Sequence, residues 1–119
     1  MFKDILKEMV DGVEGGLGAV LMEFDGIAVD RHEGKGATFS VETVGMEYSV
    51  VLKEILKAAE LLKAGKAEDL AIKSENLNAV FRVVNDQYFI VLTLSPTGNV
   101  GKGRFLLRLA APKVRAELG

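Results

Sequence analysis

Between Val41 and Ala64 apolar residues recur at helical spacing, and there are more of them than one buried face can use. Val44, Tyr48, Val51, Ile55, Ala59 and Leu62 form a regular stripe, the pattern of an amphipathic helix. Ser40 stands where an N-cap hydroxyl accepts a bond from an unpaired first-turn amide. Gly65, just after Ala64, is a natural stop. Met46, Val50, Leu52, Leu56 and Leu61 widen the stripe beyond what one sheet covers. The surplus predicts a second surface, most simply another copy of the chain.

Around this helix the sequence alternates as strands do. Phe2, Ile5, Leu6, Met9, Val10 and Val13 predict a first helix, ended by Gly12, Gly15 and Gly16. Leu17 to Arg31 reads as a hairpin, with Ala19, Leu21 and Glu23 facing opposite to Val20, Met22 and Phe24. Asp25-Gly26 predicts a two-residue turn of positive φ. After the long helix come strands over Leu70–Ser74, Leu77–Val84 and Tyr88–Leu94, with Asn85-Asp86 as a second tight turn. A short last helix from Gly101 to Ala111 should bury Phe105, Leu106 and Leu109 and kink or stop at Pro112. The order is α-β-β-α-β-β-β-α, an α+β class with antiparallel hairpins, expected as one domain over residues 1–119.

Composition narrows the function classes. Apolar residues make up 49% and charged residues 27%, which predicts a globular chain. With no cysteine, disulfides and thiolate metal sites are excluded, and a cytoplasmic setting is expected. Lys3, Asp4, Lys7 and Glu8 interrupt any apolar leader, and no stretch approaches the ~20 residues a membrane span needs. Net charge is -2 with both signs mixed, so neither nucleic acid nor direct membrane insertion is expected. The cationic set Lys102, Arg104, Arg108, Lys113 and Arg115 reads as a solvated helix face, with nucleic acid or an anionic surface as the alternative contact.

Catalytic and cofactor constellations do not assemble. His32 is the only histidine and has charged neighbours in Arg31 and Glu33, with no orienting partner in view. Glu23, Asp25 and Asp30 flank a hairpin, where turn chemistry explains the carboxylates. A phosphate-cradling loop needs Gly-Lys followed by Ser or Thr. Gly34-Lys35, Gly65-Lys66 and Gly101-Lys102 are followed by Gly36, Ala67 and Gly103, so GTP binding by this chain itself is not expected. No metal or cofactor is expected either.

Residues 13–29, VEGGLGAVLMEFDGIAV, resemble the first hairpin of the Roadblock/dynein light-chain domain family. Residues 89–105, FIVLTLSPTGNVGKGRF, resemble that family's last strand, loop and closing helix, with Gly101 and Arg104-Phe105 at the helix start. The resemblance implies a five-stranded antiparallel sheet with the long helix on one face and two helices on the other. It also implies a homodimer joined edge to edge at the strand Leu70–Ser74, with the long helices together. The interface candidates are then Tyr48, Leu52, Ile55, Leu70, Ala71, Ile72 and Lys73. Bacterial MglB-like members of the family imply a small Ras-like GTPase as partner, bound through the long-helix surface. Met46, Glu47, Val50, Lys53, Glu54 and Lys57 are the candidates for that contact, against a reading of their charges as a solvated face. No arginine lies between Val41 and Ala64, so any activation would reposition the GTPase's own residues instead of lending an arginine. Two alternatives stay open: a structural dynein-light-chain-like adaptor with no GTPase partner, and a small-ligand sensor using Tyr48, Tyr88 or Arg82.

Overall fold

Hairpins return each strand antiparallel to the one before, and the topology follows from that constraint. The computed structural model describes residues 1–119. Its elements are α1 (Phe2–Asp11), β1 (Gly16–Glu23), β2 (Ala28–Glu33), α2 (Val41–Leu61), β3 (Asp69–Lys73), β4 (Asn78–Val83), β5 (Tyr88–Leu94) and α3 (Val100–Leu118). The five strands pair antiparallel in the order β2-β1-β5-β4-β3. Fold class and element order are those the sequence leads one to expect. β5 lies mid-sheet and is buried throughout from Phe89 to Leu94, which is why it reads as apolar on both faces.

Alternate strand residues feed two layers. Ala19, Leu21, Val80, Ile90 and Leu92 pack with α1 and α3 in a cluster of 15 buried residues. Val20, Met22, Phe81, Phe89 and Val91 meet α2 in a cluster of only 9. The imbalance is geometric. Five strands at ~4.8 Å spacing make a sheet roughly 19 Å wide, whereas one helix is ~10 Å across. α1 covers β1 and β2 while α3 covers β3, β4 and β5, so together they span one side. On the other side α2 lies alone over β1, β2 and β5. The β3 end of that side is left uncovered.

Several local expectations need correction. Gly26 supplies the expected positive φ, at +92°, but the loop around it is longer. Gly26 N–H donates to the Glu23 carbonyl at 2.9 Å and Glu23 N–H to Ile27 at 2.8 Å, a three-residue loop instead of a two-residue turn. Asn85 and Asp86 keep negative φ. The Asn85 side-chain oxygen instead accepts from the amides of Gln87 and Tyr88, at 2.8 and 3.0 Å. The long helix ends at Leu61, ahead of Ala64, because Lys63 turns left-handed at φ 58°. Lys63 N–H then reaches Glu60 and Ala64 N–H reaches Ala59, the paired bonds of a Schellman ending.

The largest correction concerns α3, which passes through Pro112 and continues to Leu118. Proline removes the bond to the carbonyl of Arg108, but both residues face solvent, where water can satisfy that oxygen. Beyond the proline, Val114 is fully buried and Arg115 Nε donates to the Val84 carbonyl at 2.8 Å. Those contacts hold the extra turns. The buried face is Gly103, Leu107, Ala110, Ala111 and Val114, and the expected core residues Phe105 and Leu109 point outward.

Candidate functional site

The exposed apolar surface of α2 and the free edge of β3 form the candidate site. Ser40 Oγ accepts from the amide of Thr43 at 3.3 Å, and Glu33 Oε1 accepts from that of Val41 at 2.8 Å. Arg31 pairs with Glu42, so the start of the helix is fastened to β2. Close approach follows at Gly45, where a Cβ would stand 3.0 Å from the end of Met22. All the buried residues of α2 (Val41, Val44, Gly45, Ser49 and Leu52) lie in this first part. Past Leu52 no residue of α2 is fully buried, and Ile55, Leu56 and Ala59 are half-buried. A trough of about 260 Å³ opens beneath the helix, lined by Phe24, Lys53, Leu56, Lys57, Glu60 and Lys66 among others.

The six candidates for GTPase contact, Met46, Glu47, Val50, Lys53, Glu54 and Lys57, are all exposed. Five of them (Met46, Val50, Lys53, Glu54 and Lys57) follow helical spacing onto one outward face, with Glu47 at its margin. Leu61, 77% exposed, continues that face. The interface candidates divide. Tyr48 is half-buried, its ring edge-on to Phe81 at 5.5 Å, and Leu70 sits opposite Phe81 on β3. Leu70 and Ile72 are half-buried against the α2-side core, while Ala71 and Lys73 are exposed on the strand that has no outer neighbour. Ile55 is half-buried. Leu52 is only 2% exposed and is spent within its own subunit, leaving almost no surface for a partner. Val51 and Leu62, read from spacing as inward, are exposed instead, Leu62 at 78%.

Asp69 at the head of β3 is held by two arginines, Arg104 at 3.1 Å and Arg82 at 3.5 Å. Nothing in the sequence signalled this link between the sheet edge and α3. His32 makes no side-chain hydrogen bond and sits on the other edge strand, opposite Ala19. No group of three or more His, Asp or Glu side chains is close enough to hold a metal ion. The remaining clefts are open surface features. One of about 420 Å³ is lined by Asp4, Lys7, Glu8, Asp11 and Gly12 without an apolar wall, and another of about 370 Å³ sets Arg82 among Lys66, Glu68, Asp86 and Arg115. A drug-sized ligand needs an apolar lining with a few converging polar groups, so the small-ligand reading gains no support here. No helix is long and apolar enough to cross a membrane.

No family model matches the chain, and no curated protein matches it. Solved structures do. MglC from Myxococcus xanthus is 42% identical, covering 96% of this chain and 96% of that one, with a TM-score of 0.69. A Roadblock/LC7 domain from Streptomyces avermitilis superposes with a TM-score of 0.84 at 13% identity, over 98% of this chain and 96% of its own. MglB in a tetrameric arrangement gives 0.84 at 17% identity, over 95% of this chain and 84% of its own. The first is alike in sequence as well as in fold; the other two carry the fold alone.

Proposed function

Since the chain belongs, with MglC, to the Roadblock/LC7 family, we propose that it is a non-catalytic, self-associating regulator or scaffold for a small Ras-like GTPase. The observations that carry this reading are the uncovered apolar surface of α2, where Val50, Leu61 and Leu62 stand between 60% and 78% exposed, and the unpaired edge of β3. Monomers seldom leave such a surface to water. The uncovered β3 end of the sheet beside Tyr48 suits a second α2, and the outward face from Met46 to Lys57 suits the GTPase.

No arginine lies on that face, and this supports activation, if any, through the GTPase's own catalytic residues. The test is a binding and turnover assay with Ras-like GTPases encoded near the gene, loaded with GDP or a GTP analogue. Binding that Val50→Glu weakens about tenfold or more supports the reading. No binding and no change in hydrolysis removes it.

A second reading, an adaptor with no GTPase of its own, is favoured by one fact. Sequence likeness lies with MglC at 42%, whereas MglB, the relative tied to the GTPase expectation, shares 17%. A chain that self-associates but ignores the GTPases in both nucleotide states would fit it.

A further inference from the structure

A surface helix ordinarily turns its most polar side to water. α3 departs from this, with an apolar line running down the middle of its exposed side. Gly101, Phe105, Leu109, Pro112 and Ala116 recur at steps of four, four, three and four along its outward centreline, and all are exposed. Phe105 is 42% exposed and Leu109 49%. Cations occupy both flanks. Lys102 and Lys113 lie toward α1, where Lys113 shares a shallow groove with Ile5, Glu8 and Leu109. Arg104, Arg108 and Arg115 lie toward the β3–β4 side. The Lys102 and Arg108 cations sit 5.7 and 5.5 Å from the centre of the Phe105 ring.

Arg104 and Arg115 have partners within the fold, in Asp69 and the Val84 carbonyl. Lys102, Arg108 and Lys113 form no ion pair. From Val100 to Ala116 there is no acid, amide or hydroxyl side chain at all. The helix itself therefore adds no acceptor to that face; the acids beside it are Asp69, already paired with Arg104, and Glu8 across the groove to α1. The face complements a surface that is uniformly anionic with an apolar layer beneath. Charge over the whole chain agrees. α3 carries five cations and one acid, Glu117, for +4, so in a chain of net -2 the other residues sum to -6.

We propose that the outward face of α3 docks on an anionic phospholipid surface. Phe105 and Leu109 enter the headgroup boundary, and Lys102, Arg108 and Lys113 meet lipid phosphates. The acidic body is repelled by the same surface, which sets the orientation and leaves α2, on the opposite side of the sheet, facing water. Two apolar side chains and a few cations make this docking reversible and salt-sensitive.

Cosedimentation of the full chain with phosphatidylcholine vesicles, with or without about one third phosphatidylglycerol, tests it. The chain should pellet with the anionic vesicles alone and be released by raised salt. Arg108→Glu with Lys113→Glu should weaken capture about tenfold or more. Phe105→Ser with Leu109→Ser should weaken it at unchanged charge. All four positions are exposed, and circular dichroism melting confirms that each variant is folded. Failure to pellet at low salt overturns the proposal, as does equal capture of every variant. An acidic protein held by this face in the absence of vesicle binding overturns it too.

Discussion

Two leucines on one helix separate what stabilises the subunit from what faces outward. Leu52 and Leu61 both fit the apolar spacing of α2, yet Leu52 is 2% exposed and Leu61 77%. Leu52→Ala should cost about 2–4 kcal/mol in urea unfolding, because the surrounding core cannot fully close over the gap. Leu61→Ala should change subunit stability by less than about 0.5 kcal/mol. Periodicity could not tell them apart, since it reports that a residue is apolar and not how far the sheet extends beneath it. A smaller effect belongs to Lys7 and Asp11. Their hydrogen bond raises the lysine pKa and holds the Asp11 carboxyl below its usual range. A carboxylate with a depressed folded pKa adds stability above its unfolded pKa and loses it as pH falls through the folded value. This pair is fully solvated, and it puts an acid at a helix C-terminus, against the dipole. Lys7→Ala should therefore have a small effect at neutral pH that vanishes both in acid and in high salt, as thermal melts would show.

At the scale of elements, strands were more legible than the places where chain segments stop. β5 was readable to the residue because a strand buried on both faces leaves a continuous apolar run. The ends of α2 and α3 were not, and for opposite reasons. Lys63 adopts a left-handed conformation that sequence rules assign to glycine, so α2 stops early. Pro112 marks a stop that α3 ignores, because Val114 and Arg115 are held by the sheet beyond it. That conflict has a measurable consequence. Pro112→Ala restores a backbone bond to Arg108 and removes a clash, worth up to ~3 kcal/mol in a helix interior. The variant also frees the unfolded chain by roughly 0.4–1 kcal/mol. We expect a net stabilisation of about 2 kcal/mol by urea unfolding. An unchanged or lowered midpoint would mean that the helix is already bent to suit the proline.

For the whole molecule the governing quantity is the width of the sheet against the width of one helix. Two helices close one side, and a single helix leaves the β3 end of the other open. The sequence held the surplus, as too many apolar residues in α2, but not its location, which depends on the β2-β1-β5-β4-β3 order bringing distant strands together. A self-association that uses the uncovered β3 end would seat a second α2 against Tyr48, Val51 and Leu70 and pair the two β3 edges. Standard interfaces bury about 800 Å² on each partner, so a charge placed at Val51 should be severe. In sedimentation at micromolar concentration the unmodified chain should run as a dimer or larger. Val51→Glu should run as a single subunit, and Val50→Glu, on the outward face, should stay associated. Because α3 covers β3 and β4, pairing at β3 would also set two cationic α3 faces on the same side of the joined sheet. Val51→Glu should then weaken capture by anionic vesicles as well, through loss of the second contact and without any change to α3. A monomeric unmodified chain, or a Val51→Glu variant as strongly associated as its parent, would show that α2 meets its partner elsewhere.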